Sequence, residues 1–195
     1  MEVTVDCSEG QGLIYDGKLS FEVNTLDPLS VPSTRTKLML NIGIPEQAFS
    51  AAMLPHDGVG LAREEFVINS NIQIHPLALV HYGVLELLGH QKELLEYSLQ
   101  VIREVESLTA AYTDKSQYFI DQLAFGIARI GSAFYPEKVI VRLSDFKSNE
   151  YANLIGGRLF EPQESNPMIG WRGCSRYYDM SYQAAFILEC KALAK

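Results

Sequence analysis

Val139-Ile-Val-Arg-Leu-Ser-Asp-Phe-Lys-Ser-Asn-Glu-Tyr151 opens on three apolar β-branched residues and then turns polar. Val139, Ile140 and Val141 show no alternation, which predicts a short strand buried on both faces. The run ends on Arg142, and such a strand tolerates a cation only where it meets water or an anion. In sheets fed by helices, ligands sit at the C-terminal strand ends. An arginine there, followed by a loop with Asp145, Lys147, Asn149 and Glu150, predicts part of a site for an anionic ligand.

Upstream, Gly58-Val-Gly-Leu-Ala-Arg-Glu-Glu-Phe66 reads as a second strand, and Arg63 falls at its end as Arg142 does in the later one. Leu38-Met-Leu-Asn-Ile42 is another buried-strand candidate. Pro45, Phe49, Ala52 and Met53 fit a short helix between these two. Strand, helix and strand in so short a span make a right-handed crossover if the strands are parallel. From Lys92 to Tyr112 a helix is expected to turn Leu95, Leu99, Ile102, Val105 (or Glu106) and Leu108 to one side. A second helix, Tyr118 to Phe134, carries Phe119, Leu123, Ile127, Ile130 and Phe134, and Pro136 stops it before Val139. A last helix begins near Ser181, with Tyr182, Phe186, Cys190 and Leu193 on its apolar side.

The expected class is therefore α/β, with three strands alternating with helices as in the first half of a (β/α)₈ barrel. A whole barrel of that kind takes about 250 residues, so the chain is expected to stop partway round. Two short strands, Val3-Thr-Val5 and Leu13-Ile-Tyr15, precede it, and Leu26 to Arg35, with two prolines, reads as a linker. The expected division is residues 1–24, a linker at 25–36, and barrel from 37 to 195.

Composition bounds the partners. Apolar residues make up 47% and charged residues 21%, ordinary for a globular chain. A net charge of −8 with no basic patch argues against nucleic acid and against an anionic membrane surface. No apolar run approaches the ~20 residues of a membrane span. Cys7, Cys174 and Cys190 lack ligand spacing, and an odd count suits a reducing compartment. With no basic and apolar leader at the N-terminus, a cytoplasmic protein is expected.

The motifs also carry a resemblance. Asp145-Phe-Lys-Ser-Asn-Glu-Tyr151 with Asn166-Pro-Met-Ile-Gly-Trp-Arg-Gly173 resembles the phosphoenolpyruvate/pyruvate-binding barrel shared by phosphoenolpyruvate synthase, pyruvate phosphate dikinase and the first enzyme of the sugar phosphotransferase system. The synthase branch (pyruvate, water dikinase) is the most similar. Arg63, Arg142 and Arg172 match that family's substrate-binding arginines by motif, although most relatives have threonine where Glu64 stands. The resemblance implies that residues 1–24 are the tail of a swivelling phosphohistidine domain. It also implies a parent enzyme that converts ATP, pyruvate and water to AMP, phosphoenolpyruvate and phosphate. ATP would bind only in that parent. Its magnesium would be held by a glutamate and an aspartate beyond Lys195, and its proton-donating cysteine would also lie beyond, so no catalytic or metal-binding residue is expected here.

Planar guanidinium groups suit a ligand with a carboxylate and a phosphoryl group, because they hold both by bidentate, charge-assisted bonds. The plainer alternative pairs each arginine with a nearby acid, such as Glu64, Glu65, Asp145 or Glu150. Asp145 and Glu150 offer oxygen donors, but are expected to orient the arginines or the loop rather than a metal. Cys174 and Cys190 are expected to be buried and inert. His75, His81 and His90 are expected in capping or surface roles. Gly156-Gly157 reads as a flexible turn, and Gly58-x-Gly60 lacks the third glycine and preceding strand of a dinucleotide fingerprint. Two other expectations stand beside substrate binding. One is a non-catalytic half barrel that associates with itself or with a complementary half. The other is a small module for generic anions.

Overall fold

The computed structural model describes residues 1–25, 27–85 and 92–195; Leu26 of the expected linker and His90 lie outside them. The chain divides into two units, Met1–Ser33 and Thr34–Lys195. In the first, β1 (Val3–Asp6) and β2 (Leu13–Asp16) form an antiparallel hairpin, with Thr4 Oγ1 donating to the carbonyl of Gly17.

The second unit is mixed α/β. Its sheet is parallel in the order β3 (Leu40–Ile42), β4 (Val59–Arg63), β5 (Val139–Arg142), and it is open rather than closed. Chain-adjacent parallel strands need a crossover. The first is a short one through α1 (Ala48–Ala51), entered by Pro45 at the start of a 3₁₀ turn. The second holds α2 (Glu64–Val67), α3 (Pro76–Val80), α4 (Lys92–Leu108) and α5 (Lys115–Phe134). Asp114 caps α5 by accepting the Ser116 N–H at 2.9 Å, and Tyr135 is extended beyond its end, ahead of Pro136. After β5 come α6 (Ser148–Tyr151), α7 (Cys174–Tyr177) and α8 (Gln183–Ala194). No helix among the described residues is long and apolar enough to cross a membrane.

Helix α5 serves two cores. Ile130 and Phe134, near its C-terminus, pack with Ile42, Val59 and Ala62 of the sheet. Phe119 and Leu123, near its N-terminus, join Ile72, Ile74, Leu77, Tyr151, Tyr182 and Leu188.

Three expectations change here. Strand β5 is not buried on both faces: Ile140 is 47% exposed, because β5 is an edge strand with α5 beside only one face. In α4 the buried side is Ser98, Val101 and Val105, while Leu95, Leu99 and Leu108 are exposed. In α8 it is Ala185, Leu188, Glu189 and Ala192, with Cys190 and Leu193 exposed. Part of each expected side holds, since Val105 and Tyr182 are buried and Ile102 and Phe186 pack against the core, but the buried sides also take in polar Ser98 and Glu189, which apolar periodicity does not register.

Gly58 sets the spacing at the start of the sheet. Its φ is +108°, and a Cβ there would lie 2.4 Å from the carbonyl oxygen of Lys138. That carbonyl also accepts the Val59 N–H at 2.8 Å. Gly58→Ala is therefore expected to destabilise the unit by about 2–4 kcal/mol, through a disallowed φ and a strand pushed off its neighbour. Urea denaturation would check it; a loss below about 0.5 kcal/mol would contradict the close approach.

Candidate anion-binding site

The strand register brings the first two arginines together. Arg63 pairs with Arg142 at the C-terminal ends of parallel β4 and β5. Like charges so placed repel, and the next residues of each strand supply the compensation. Glu65, in the first turn of α2, accepts from Arg142 Nη2 and from the Asp145 N–H (2.9 Å), both through Oε1. Asp145 lies 3.9 Å from Arg142 and receives Arg172 in a bidentate pair, Nε to Oδ1 at 3.0 Å and Nη2 to Oδ2 at 2.9 Å. The Arg172 hydrogen bonds hold the Asp145 carboxyl below the ordinary range.

These groups wall a cavity of about 350 Å³, with Phe66, Asn69, Phe146, Lys147 and Glu150 completing it. Lys147 is paired with Glu150 at 3.0 Å, and Glu150 also accepts the Lys147 N–H at 2.8 Å. Four basic and three acidic side chains thus face one space. Among the described residues nothing pairs with Arg63, which is exposed to the cavity as a free cation. The arrangement suits a small anion that takes Arg63 outright and shares the others with their acids.

All three arginines expected from the sequence line this single cavity. The plainer alternative also holds for two of them, since Arg142 and Arg172 have acid partners. Glu64 is not one of those partners. It turns away from the cavity and is buried at 1% exposure. Its Oε1 accepts the Ser144 N–H at 2.6 Å. Glu189 from α8 accepts the Ser144 hydroxyl at 2.6 Å and a hydrogen bond from Glu64 itself. Burial first, and the Glu189 charge second, push the Glu64 carboxyl far above its usual range, so Glu64 keeps its proton. Tyr151 and Tyr182 close this network, Tyr182 donating to the Tyr151 hydroxyl at 2.7 Å.

Behind the Arg172 loop lies a second buried cluster. His75 caps α3 by accepting the Leu77 N–H on Nδ1, so Nε2 carries the proton that meets Glu161 at 3.0 Å. Burial lowers the His75 pKa, and the ring is neutral. The capping role expected for it holds, but it is fully buried rather than on the surface. His81 is exposed. Cys174 and Cys190 are exposed as well, not buried, since Cys174 opens α7 at the surface and Cys190 lies on the outer side of α8. Arg176 and Glu189 support the site without lying in a recognisable spacing: Glu189 meets Ser144 across 45 positions and Arg176 meets Glu161 across 15.

Residues 19–195 match the family described as PEP-utilising enzyme, PEP-binding domain. This chain belongs to that family. Over its whole length it is 52% identical to the phosphoenolpyruvate synthase of Synechocystis sp. and 47% identical to that of Aquifex aeolicus, covering 23% and 27% of those proteins. It is 43% identical over 99% of its length to the phosphoenolpyruvate synthase of Escherichia coli, covering 23%. The chain thus spans about a quarter of the curated relatives it matches.

Proposed function

We propose that the cavity binds phosphoenolpyruvate and pyruvate, with Arg63 and Arg142 on the phosphoryl and carboxylate ends and Arg172 as a third clamp. The observation that carries this reading is the convergence of the three arginines on one cavity at the ends of adjacent parallel strands. Membership of the family supports the ligand class. In the same reading the whole protein is a cytoplasmic phosphoenolpyruvate synthase. It would make phosphoenolpyruvate, AMP and phosphate from pyruvate, ATP and water, and this chain would supply substrate-binding arginines to it. Residues 1–24 would end the phosphohistidine domain, 25–36 would link, and 37–195 would form the first part of a (β/α)₈ barrel. The parallel order β3-β4-β5 with helical crossovers supports the barrel assignment.

Positioned guanidinium groups stabilise charge that develops on a transferring phosphoryl group. Magnesium, which the family implies, does not fit the acids here. Asp145 and Glu65 are committed to arginines and Glu150 to Lys147, and no group of three or more metal-binding side chains occurs among the described residues. No metal ligand is assigned to this chain.

Calorimetric titration of the chain with phosphoenolpyruvate, pyruvate and inorganic phosphate tests the reading. Phosphoenolpyruvate is expected to bind more tightly than phosphate. Arg142→Gln is expected to weaken it about tenfold to a hundredfold, the loss of roughly 1.5–3 kcal/mol of charged hydrogen bonding. Arg129→Gln, whose guanidinium pairs with Glu46 on the surface, is expected to change nothing. Equal affinity for phosphate and phosphoenolpyruvate would mark a generic anion site instead.

A further inference from the structure

Beneath the cavity lies a cation that substrate binding does not use. The Arg176 side chain is 1% exposed. Its Nη1 and Nη2 donate to the two oxygens of Glu161 at 2.5 and 2.7 Å. Its guanidinium carbon sits 3.9 Å from the ring centre of Trp171, 4.5 Å from Tyr151 and 4.9 Å from Tyr182. Buried ion pairs of this kind are poor devices for stability, since desolvation offsets their attraction. The geometry shows another use. Arg176 Nη2 also donates to the main-chain carbonyl of Trp171 at 3.0 Å, the peptide that leads into Arg172.

The rest of that segment is tied down in the same way. The Trp171 N–H donates to Glu164 Oε1 at 2.8 Å, and the Ser175 hydroxyl donates to the Arg172 carbonyl at 2.8 Å. Tyr177, next to Arg176, donates its hydroxyl to the Ser144 carbonyl in the loop after β5. The backbone on both sides of Arg172 is thus held from below, and only the side chain is left to reach Asp145.

We propose that Arg176 is a positioning residue: locked by Glu161 inside an aromatic box, it fixes the Trp171 carbonyl and so presets the Arg172 guanidinium on Asp145 at the cavity wall. Its functional consequence rests on the cavity being the phosphoenolpyruvate site; the positioning itself does not. Two readouts keep the two apart. The first is hydrogen exchange at Arg172 Nε, followed by NMR on the ¹⁵N-labelled 195-residue chain and assigned by its loss in Arg172→Lys. Lysine can keep the charge of Arg176 but cannot serve both Glu161 and the carbonyl from a planar fork. In Arg176→Lys the Arg172 Nε–H is expected to exchange roughly tenfold faster, while the amides of β4 and β5 keep their protection. A merely structural role would loosen both or neither. The second readout is phosphoenolpyruvate titration, in which the same variant is expected to bind more weakly than the unaltered chain. If the unaltered chain fails to bind phosphoenolpyruvate, the cavity reading falls and the exchange result still decides the positioning. Unchanged Arg172 exchange in folded Arg176→Lys overturns the proposal. Where that variant does not fold, Glu161→Gln, which loosens the lock at a distance from Arg172, replaces it: faster Arg172 exchange supports the proposal and unchanged exchange overturns it.

Discussion

Glu161→Ala is expected to remove about 3–5 kcal/mol of stability, the range for breaking a buried ion pair on one side only. The size follows from the bookkeeping of charge around Arg176. His75 is neutral, with its second ring nitrogen occupied by the Leu77 N–H, so it offers no replacement anion. The carboxyl of Glu161 would be raised by burial alone, but Arg176 and His75 hold it below its usual range. Its removal therefore leaves a fully buried guanidinium facing three rings and one carbonyl. Those rings attract a desolvated cation by about 2 kcal/mol each, but they carry no net negative charge and do not replace an ionic partner. Arg176→Met combined with Glu161→Ala removes both charges and is expected to be more stable than Glu161→Ala alone. Urea denaturation followed by the fluorescence of Trp171, the single tryptophan of the chain, reads the change at the cluster itself. A Glu161→Ala loss under about 1 kcal/mol would mean that water reaches Arg176.

The second large effect concerns pH. Glu64 and Glu189 are both buried and hydrogen-bonded to each other and to Ser144. Glu65, Tyr151, Tyr177 and Tyr182 face the pair, and none supplies a positive charge. Burial and mutual repulsion raise the Glu64 carboxyl above its unfolded value. A raised acid contributes stability that is complete below the unfolded pKa and is lost as pH rises toward the folded one. Stability is therefore expected to fall from the ordinary carboxylate range upward, by about 1.4 kcal/mol per pH unit for the one retained proton. Glu64→Gln keeps an oxygen for the Ser144 N–H and an N–H for Glu189 without needing a proton from solvent. It is expected to flatten the slope and to exceed the unaltered chain in stability at pH 8. Denaturation midpoints from pH 5 to 9 check this, and parallel slopes for the two proteins would sink the shared proton.

The sequence exposed the strand ends more clearly than the interior. Arg63 and Arg142 stand out because a cation at the end of an apolar run has few physical reasons to be there, and the register places them side by side. Arg172 was legible only through its motif. Arg176, one helical turn further on, has the same residue type and the opposite fate, and nothing in the spacing distinguishes an arginine that faces a cavity from one sealed under it. Glu64 and Glu65 pose the same problem as neighbours. One completes the cavity wall and the other shares a proton in the core, because α2 begins between β4 and the interior and sends successive residues to different sides. The buried sides of α4 and α8 include Ser98 and Glu189, and a pattern of apolar residues does not report a buried polar one. The composition of Val139–Arg142 predicts a doubly buried strand, yet one face is open, and apolar content alone does not say which face of an edge strand is covered.

The pairing of Arg63 with Arg142 also bears on how the sheet finds its alignment. Ala62 and Val141, one step earlier on each strand, sit opposite each other, and both pack in the core under α5. Sliding either strand by a single position would turn its arginine toward Ile130 and Phe134, where no anion could meet it. Short strands of three to five residues hold few hydrogen bonds with which to choose among neighbouring alignments. The two guanidinium groups act as end-stops, penalising every wrong pairing before any ligand has been encountered.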